Sequence, residues 1–441
     1  MRSRYLPYAV ASALVVVVVP NLPATAAAPT RCAGVVATIV GTAGPDAIVG
    51  TAGRDVIAAG DGEDSVSGRG GGDLVCGGGG FDRISGGPGD DRLVGGGADD
   101  TLLGRRGDDV LEGGVGIDAL FAGPGDDRLV GGPNRGLGIE GLIPGPGRDR
   151  LVGGGGLDAA HYFDARRGVR VDLAAGTARG EGRDVLDGVE GAVGSNHDDV
   201  LLGDARGNGL FGQRGDDTIR GRGSGDLASL AFDVLAGDGG ADVVDGGAGT
   251  DMASFDRIPV PVTVDLAAGT ATGQGHDDLV DVEGAIGSVL DDVIVGDAGD
   301  NAFAAGLGAD SVDGAGGVDT AILADLAGPV TVDLAAGVAT SAEATDTIAS
   351  IEAVWGTSAS DTLLGDDGPN ALLGFRGDDG LVGRAGDDLL VGGAGSDTAD
   401  GGDGTDACVG VEDATACETG ARGVRGRGGV ALGWLATRRG P

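Results

Sequence analysis

Aspartate stands at positions 46, 55, 64, 73, 82, 91, 100, 109, 118 and 127, every ninth residue without a slip. Two residues past each Asp comes an apolar residue: Ile48, Ile57, Val66, Val75, Ile84, Leu93, Leu102, Leu111, Leu120 and Leu129. Glycines fill the places ahead of the Asp. An internal period this regular marks a solenoid, in which each unit buries its apolar residue only by stacking on its neighbours. Units with Gly at the first, second and fourth places and Asp at the sixth begin at Gly77, Gly86, Gly113, Gly153, Gly246, Gly392 and Gly401.

Composition sharpens the problem. The 441 residues include 96 Gly and only 3% aromatics, so an ordinary globular core is not available. The net charge is −39 and all 30 basic residues are Arg. Nucleic acid is excluded as a partner, because binding it needs a basic surface. So acidic a chain with so few aromatics would stay disordered unless something neutralises the acids. Calcium can: it takes six to eight hard oxygen ligands in flexible geometry, and Asp carboxylates with the carbonyls of a Gly turn supply them. In a parallel roll, units 18 residues apart would stack, so that Asp64 faces Asp82 and Asp73 faces Asp91. At a strand spacing of about 4.8 Å, two carboxylates repel by about 3 kcal/mol at an effective dielectric near 20. Repeated along ten units, that cost exceeds the net stability of an ordinary domain, so the array should need its cation to fold.

The unit G-G-x-G-x-D-x-U-x, with U apolar, resembles the calcium-binding nonapeptide of RTX proteins, the haemolysin-type repeat. The resemblance implies an all-β fold, a parallel β-roll in which each unit is a Gly-rich turn and a short strand and two units make one coil. It also implies several Ca²⁺ ions between turns of successive coils. The carboxylates it assigns to calcium are Asp64, Asp73, Asp82, Asp91, Asp100, Asp109, Asp118, Asp127, Asp217, Asp242, Asp251, Asp310, Asp379, Asp388, Asp397 and Asp406. Asn208, Asn301 and Asn370 depart from the family's Asp and lose its charge, and Ala98 stands where the unit of Asp100 expects Gly.

The chain divides as follows. Residues 1–28 carry Arg2 and Arg4, an apolar run from Ala9 to Val19 too short to span a membrane, and small residues at Ala24 to Ala28, the order of a secretory signal. A first array (29–160) breaks over PNRGLGIEGLIPGPGR and resumes at Asp149 and Asp158. Three spacers follow, at 161–198, 252–291 and 320–360, alternating with arrays at 199–251, 292–319 and 361–417. Each spacer repeats the phrase VDLAAG (171–176, 264–269, 332–337) and a later V/I-E-x-x-x-G element at Glu190, Glu283 and Glu352. Their near-constant length points to β-rich extensions; Val262 to Leu266 alternates like a half-buried strand. Seven residues inserted between Asp226 and Asp233 should loop out. The Arg-rich tail, 418–441, reads as disordered.

Four cysteines, an even count in an exported chain, predict two disulfides, Cys32 with Cys76 and Cys408 with Cys417, capping the ends of the solenoid. Zinc is disfavoured: no C-x-x-C occurs and only His161, His197 and His276 are present. No G-x-S-x-G or H-E-x-x-H motif appears either, so a non-enzyme is expected. A flat ice-binding face is disfavoured by the mixed residues that follow each Asp, Ser65, Leu74, Arg83 and Arg92 among them. The expectation is an extracellular calcium-binding structural or adhesion protein, free or attached to a cell surface or envelope polymer. The alternative is the carrier region of a secreted hydrolase or toxin.

Overall fold

The computed structural model describes residues 30–133, 138–223, 232–324, 326–417 and the backbone of 419–421. Residues 1–28, read above as a secretory signal, the tail beyond Ala421 and most of the insertion before Asp233 lie outside these residues. The described elements are all strands, stacked as two facing parallel ladders. The chain visits the ladders alternately. Arg92–Gly97 pairs with Leu74–Gly79 on one side and Val110–Val115 on the other, and Thr101–Arg106, on the opposite ladder, pairs with Arg83–Pro88 and Ala119–Phe121. The register is 18 residues, Leu93 opposite Leu111 and Ile84 opposite Leu102. Both ladders are open-ended, the first running from Ile39–Val40 to Asp413–Thr415 and the second from Ala47–Val49 to Thr419–Ala421.

The apolar residue two places past each Asp faces inward. Ile57, Val75, Leu93, Leu111 and Leu129 from one ladder meet Val66, Ile84, Leu102 and Leu120 from the other, nearly all without accessible surface. Each such side chain contributes about 1.5–3 kcal/mol relative to exposure. A coil has only two of them, so an isolated coil cannot stand and stacking is obligatory.

The spacers do not interrupt the roll; they widen one ladder. After Arg150–Gly155 the next neighbour in that ladder is Arg183–Asp187, paired parallel. Thr177–Arg179 and then Arg170–Asp172 follow antiparallel, before the parallel stack resumes at Val200–Leu202. The opposite ladder passes directly from Leu157–His161 to Gly191–Val193 and Gly209–Phe211. The same meander recurs over Thr263–Asp265, Thr270–Thr272 and His276–Val280, and over Thr331–Asp333, Val338–Thr340 and Thr345–Ala349. Among the described residues one ladder therefore has 25 strands and the other 19, and the surplus of six is two per spacer. Buried side chains fill the space behind the extra strands: Tyr162, Val169, Val171 and Leu173 in the first spacer, Phe255, Ile258, Val262 and Val264 in the second, Leu323, Val330 and Val332 in the third.

The VDLAAG phrase is the turn between two of those antiparallel strands. Asp172 accepts the Ala175 N–H at 3.1 Å, and Gly176 takes a left-handed φ of 62° that closes the turn. Asp265 with Gly269 and Asp333 with Gly337 repeat it.

Both disulfides form, Cys32–Cys76 and Cys408–Cys417. The second joins the last coils. The first ties an antiparallel hairpin, Arg31–Cys32 with Val35–Val36, over the outer face of the first coils, where Cys32 is buried with Val56, Ala58 and Leu74.

Candidate metal centre

At each corner of the roll the sixth-position carboxylates form a column. Each Oδ1 accepts the backbone N–H of the Asp one coil earlier: Asp64 donates to Asp82 at 2.8 Å, Asp73 to Asp91 at 2.7 Å, Asp82 to Asp100 at 2.8 Å and Asp100 to Asp118 at 2.7 Å. The aspartates are almost wholly buried, at 1–3% exposure for Asp64 to Asp127. Their second oxygen turns back over the first glycine of its own unit. A Cβ on Gly77 or Gly86 would collide with Oδ2 of Asp82 or Asp91. This Oδ2 is buried and accepts no hydrogen bond in Asp64, Asp73, Asp82, Asp91, Asp100, Asp109, Asp118, Asp127, Asp217, Asp242, Asp251, Asp310, Asp379, Asp388 and Asp397. Asp406, the last of the sequence-predicted set, accepts the Asp388 N–H at 2.9 Å in the same column. A buried carboxylate oxygen left without a donor is costly, and a cation is the partner that removes the cost.

The backbone completes the cradle. In these units the second and fourth residues have positive φ, as in Gly87 (121°) and Gly89 (132°). A Cβ on Gly87 would collide with the carbonyl of Arg69, and one on Gly89 with that of Gly71, so the turn carbonyls point along the roll axis from coil to coil. Among the described residues no three His, Cys, Asp or Glu side chains converge. Each site thus offers one or two carboxylates with several carbonyls, a hard all-oxygen set that suits calcium and not zinc. The positive φ is strict enough that non-glycines adopt it at the second place, among them Arg69 (80°), Arg105 (93°), Gln213 (84°) and Arg384 (76°). Ala98 does so at the fourth place (76°), and Asp100 keeps the geometry of its neighbours.

Burial pushes these carboxyls upward, helped by neighbouring aspartates inside and beside the column: Asp82 and Asp91 to about 6, Asp100, Asp109 and Asp127 to about 7, Asp217 to about 8. Desolvation is the larger cause and repulsion between carboxylates the smaller, the reverse of the weight given to repulsion by spacing alone. The N–H donated by the preceding coil opposes both.

Eight turns of the column are built differently. Thr51 N–H and Oγ1 both reach Oδ2 of Asp55, at 2.6 and 3.0 Å, and Thr42 does the same for Asp46. Ser195, Ser288 and Thr357 each give their N–H to Oδ2 of Asp199, Asp292 and Asp361, and their hydroxyls to Oδ1. In the Asn units the second residue is Asp: Asp204, Asp297 and Asp366 donate N–H to Oδ1 of Asn208, Asn301 and Asn370. None of these eight turns has positive φ at its second or fourth place.

Sequence reasoning missed the members of the column inside the spacers. Asp149 donates to Asp184 at 3.2 Å, Asp242 to Asp277 at 3.1 Å and Asp310 to Asp346 at 3.0 Å. At the other corner Glu190, Glu283 and Glu352 accept the N–H groups of Asp158, Asp251 and Asp319. The V/I-E-x-x-x-G element is therefore a rung with one extra methylene. Where the first array breaks in sequence the fold continues, Glu140 standing opposite Asp158. Asp233 keeps its place past the insertion, taking the Asn208 N–H across 25 residues instead of 18. Glu140, Glu190, Glu283 and Glu352 stand nine residues ahead of Asp149, Asp199, Asp292 and Asp361, and Asp233 nine ahead of Asp242, so the period marks them; Asp184, Asp277 and Asp346 carry no such signal.

The family described as RTX calcium-binding nonapeptide repeat (4 copies) matches the chain over residues 40–75, 77–111, 103–135, 229–253, 286–321, 355–390 and 382–413. These segments hold most of the column's open carboxylates and avoid the cores of the three spacers. No curated protein matches the chain.

Proposed function

For a chain that belongs to the RTX calcium-binding nonapeptide-repeat proteins, we propose a secreted, structural or adhesive role in which the roll binds many calcium ions and depends on them for rigidity. The row of buried, donorless Oδ2 atoms from Asp64 to Asp127 supports this reading above all else. Each Gly turn places axial carbonyls beside one such oxygen, and calcium between successive turns gives both their missing partner. Metal affinity and folding are then one quantity, because the site exists only when coils stack. Extracellular calcium modules bind at roughly 10⁻⁴ to 10⁻³ M, above cytosolic levels, so the chain stays unfolded for export and folds outside. Two disulfides fit an oxidising compartment. An architecture of repeats alone suits a scaffold, with an envelope polymer or cell surface as its partner.

A calcium titration of chelated protein, followed by circular dichroism and calorimetry, tests the reading. Binding heat should rise together with β signal; an unchanged spectrum in chelator and in calcium defeats it. Cell fractionation with and without chelator separates surface attachment from free secretion.

A further inference from the structure

Apart from Asp233, whose Oδ2 takes the Gly223 N–H at 3.2 Å beside the insertion, the turns closed within themselves among the described residues are the eight above, and they are not scattered. They come in consecutive pairs, 46 with 55, 199 with 208, 292 with 301, and 361 with 370, nine residues apart in each case. Two turns nine residues apart are the two corners of one coil. The roll therefore contains four coils in which both corners are closed by the chain's own donors, one at the start and one directly after each spacer. Resting on the reading that open rungs take calcium, we propose that these four coils take none and that, after each spacer, coil and spacer together hold their fold without it. Each calcium-dependent array then grows from a preformed end.

Two observations carry this beyond the hydrogen bonds of the turns. The cap at the second place separates the classes: Thr, Ser or Asp whose side chain caps the fourth-place N–H gives a turn without positive φ. His197, Gly299 and Gly368 donate in that way to Ser195, Asp297 and Asp366. Asp238, in second place in the open Asp242 unit, instead keeps a φ of 66°. Carbonyls of the self-closed turns still point along the axis, Thr42 towards Gly60 and Gly299 towards Gly317, so what such a turn lacks is a carboxylate oxygen free to take the ion. Second, each spacer is bonded to its coil. The N–H that a ladder Asp supplies elsewhere comes here from Val169 to Asp199 (2.6 Å), Val262 to Asp292 (2.7 Å) and Val330 to Asp361 (2.9 Å). All three valines are buried in the spacer core. Those cores are apolar and their antiparallel strands are local in sequence, so they assemble without ions and without distant partners.

Amide hydrogen exchange on the full chain, read by mass spectrometry with and without calcium, is the test. In chelator, residues 162–211, 255–304 and 323–373 should exchange about tenfold more slowly, or better, than residues 64–127, and calcium should protect both. Calcium protection of 64–127 with no difference between blocks in chelator overturns the proposal. No calcium effect on 64–127 overturns instead the calcium reading of the open rungs, whatever the spacers do. The double variant Thr357→Gly, Asp366→Gly should lose protection over 362–373 in chelator and regain it in calcium, whereas Thr357→Ser should keep it; protection retained by the double variant counts against the proposal. Should the double variant fail to recover in calcium, Thr42→Gly with Thr51→Gly makes two G-G-A-G-x-D units away from any spacer. A calcium count above that of the unmodified chain supports the proposal, and an unchanged count overturns it.

Discussion

Residues 64–127 and residues 162–211 belong to the same two ladders and contribute to one continuous core, yet they are closed by different forces. The first block has about one core side chain per nine residues and a buried carboxylate in every turn. The second has Tyr162, Val169, Val171, Leu173, Ala178 and Leu186 gathered behind an antiparallel meander, and its restart carboxylate, Asp199, is already bonded on both oxygens. The second block buries Asp184 as well, but each of these two carboxylates has donors on both oxygens, so apolar burial there meets a smaller penalty. In the first, burial of the carboxylates works against burial of the aliphatic residues, and the sign of the total depends on what occupies the turns.

Proton and calcium concentration should separate the two blocks most. The folded-state pKa values of about 6 to about 8 along the open column lie above the unfolded value of 3.8. Without metal, folded coils hold protons that the unfolded chain releases as pH rises from about 4 to about 8, so their stability is greatest in acid and is lost towards neutrality. Urea melts in chelator should therefore show residues 64–127 more stable at pH 5 than at pH 7.5, with a smaller change in the spacers, which hold one such aspartate each in place of a column, Asp184 raised to about 6 among them. Saturating calcium reverses the sign, because protons then compete with the ion over the same interval. A metal-free roll that gains stability as pH rises would contradict this assignment of the column.

Glycine substitution gives the next largest effect and also divides the blocks. Gly87→Ala places a methyl against the Arg69 carbonyl at a φ of 121°, and should cost about 3 kcal/mol or more, measured as the loss of β signal at fixed calcium. Gly53 lies at the same place as Gly89 in its unit, but in a self-closed turn, and a Cβ there meets nothing within 4 Å. Gly53→Ala should be within about 0.5 kcal/mol of neutral. Comparable losses from both changes would mean that the two turn types do not differ as described.

Core truncation in a spacer should be calcium-blind. Val264 is fully buried in the second spacer, and Val264→Ala should destabilise it by about 2 kcal/mol. The loss should be the same in chelator and in calcium by local hydrogen exchange; a loss seen only in calcium would place the spacer among the metal-dependent coils.

How far these blocks can be read from sequence follows from how each is held. A coil of the first array repeats its solution every nine residues, so the fold and the column from Asp64 to Asp127 are written in the spacing. A spacer solves the stacking problem once, by a meander whose partners are set by apolar packing. Asp184, Asp277 and Asp346 therefore reach the column from positions that no period marks. Thr42 and Thr51 were visible as departures from Gly at the second place, and a Thr that bonds its own turn is ordinary turn chemistry. What the letters do not carry is that such a residue satisfies the carboxylate four places later and so changes what the turn can hold.

That last point yields the smallest effect and the finest test of the comparison. Thr51→Ala removes the Oγ1 donor to Asp55 and leaves the N–H donor at 2.6 Å in place. The cost should be about 1–2 kcal/mol, because the same Oγ1 also accepts the Gly53 N–H in this exposed turn. The residue-51 N–H still occupies Oδ2 of Asp55, so the variant should lose that stability in chelator and recover none of it in calcium. The equivalent loss in an open turn, Asp91→Asn, should be small in chelator, where a buried charge is removed, and large in calcium, where a ligand charge is removed. Opposite responses of two substitutions in equivalent turns, read by calcium-dependent melts, would be hard to obtain from any scheme in which all turns of the roll bind alike.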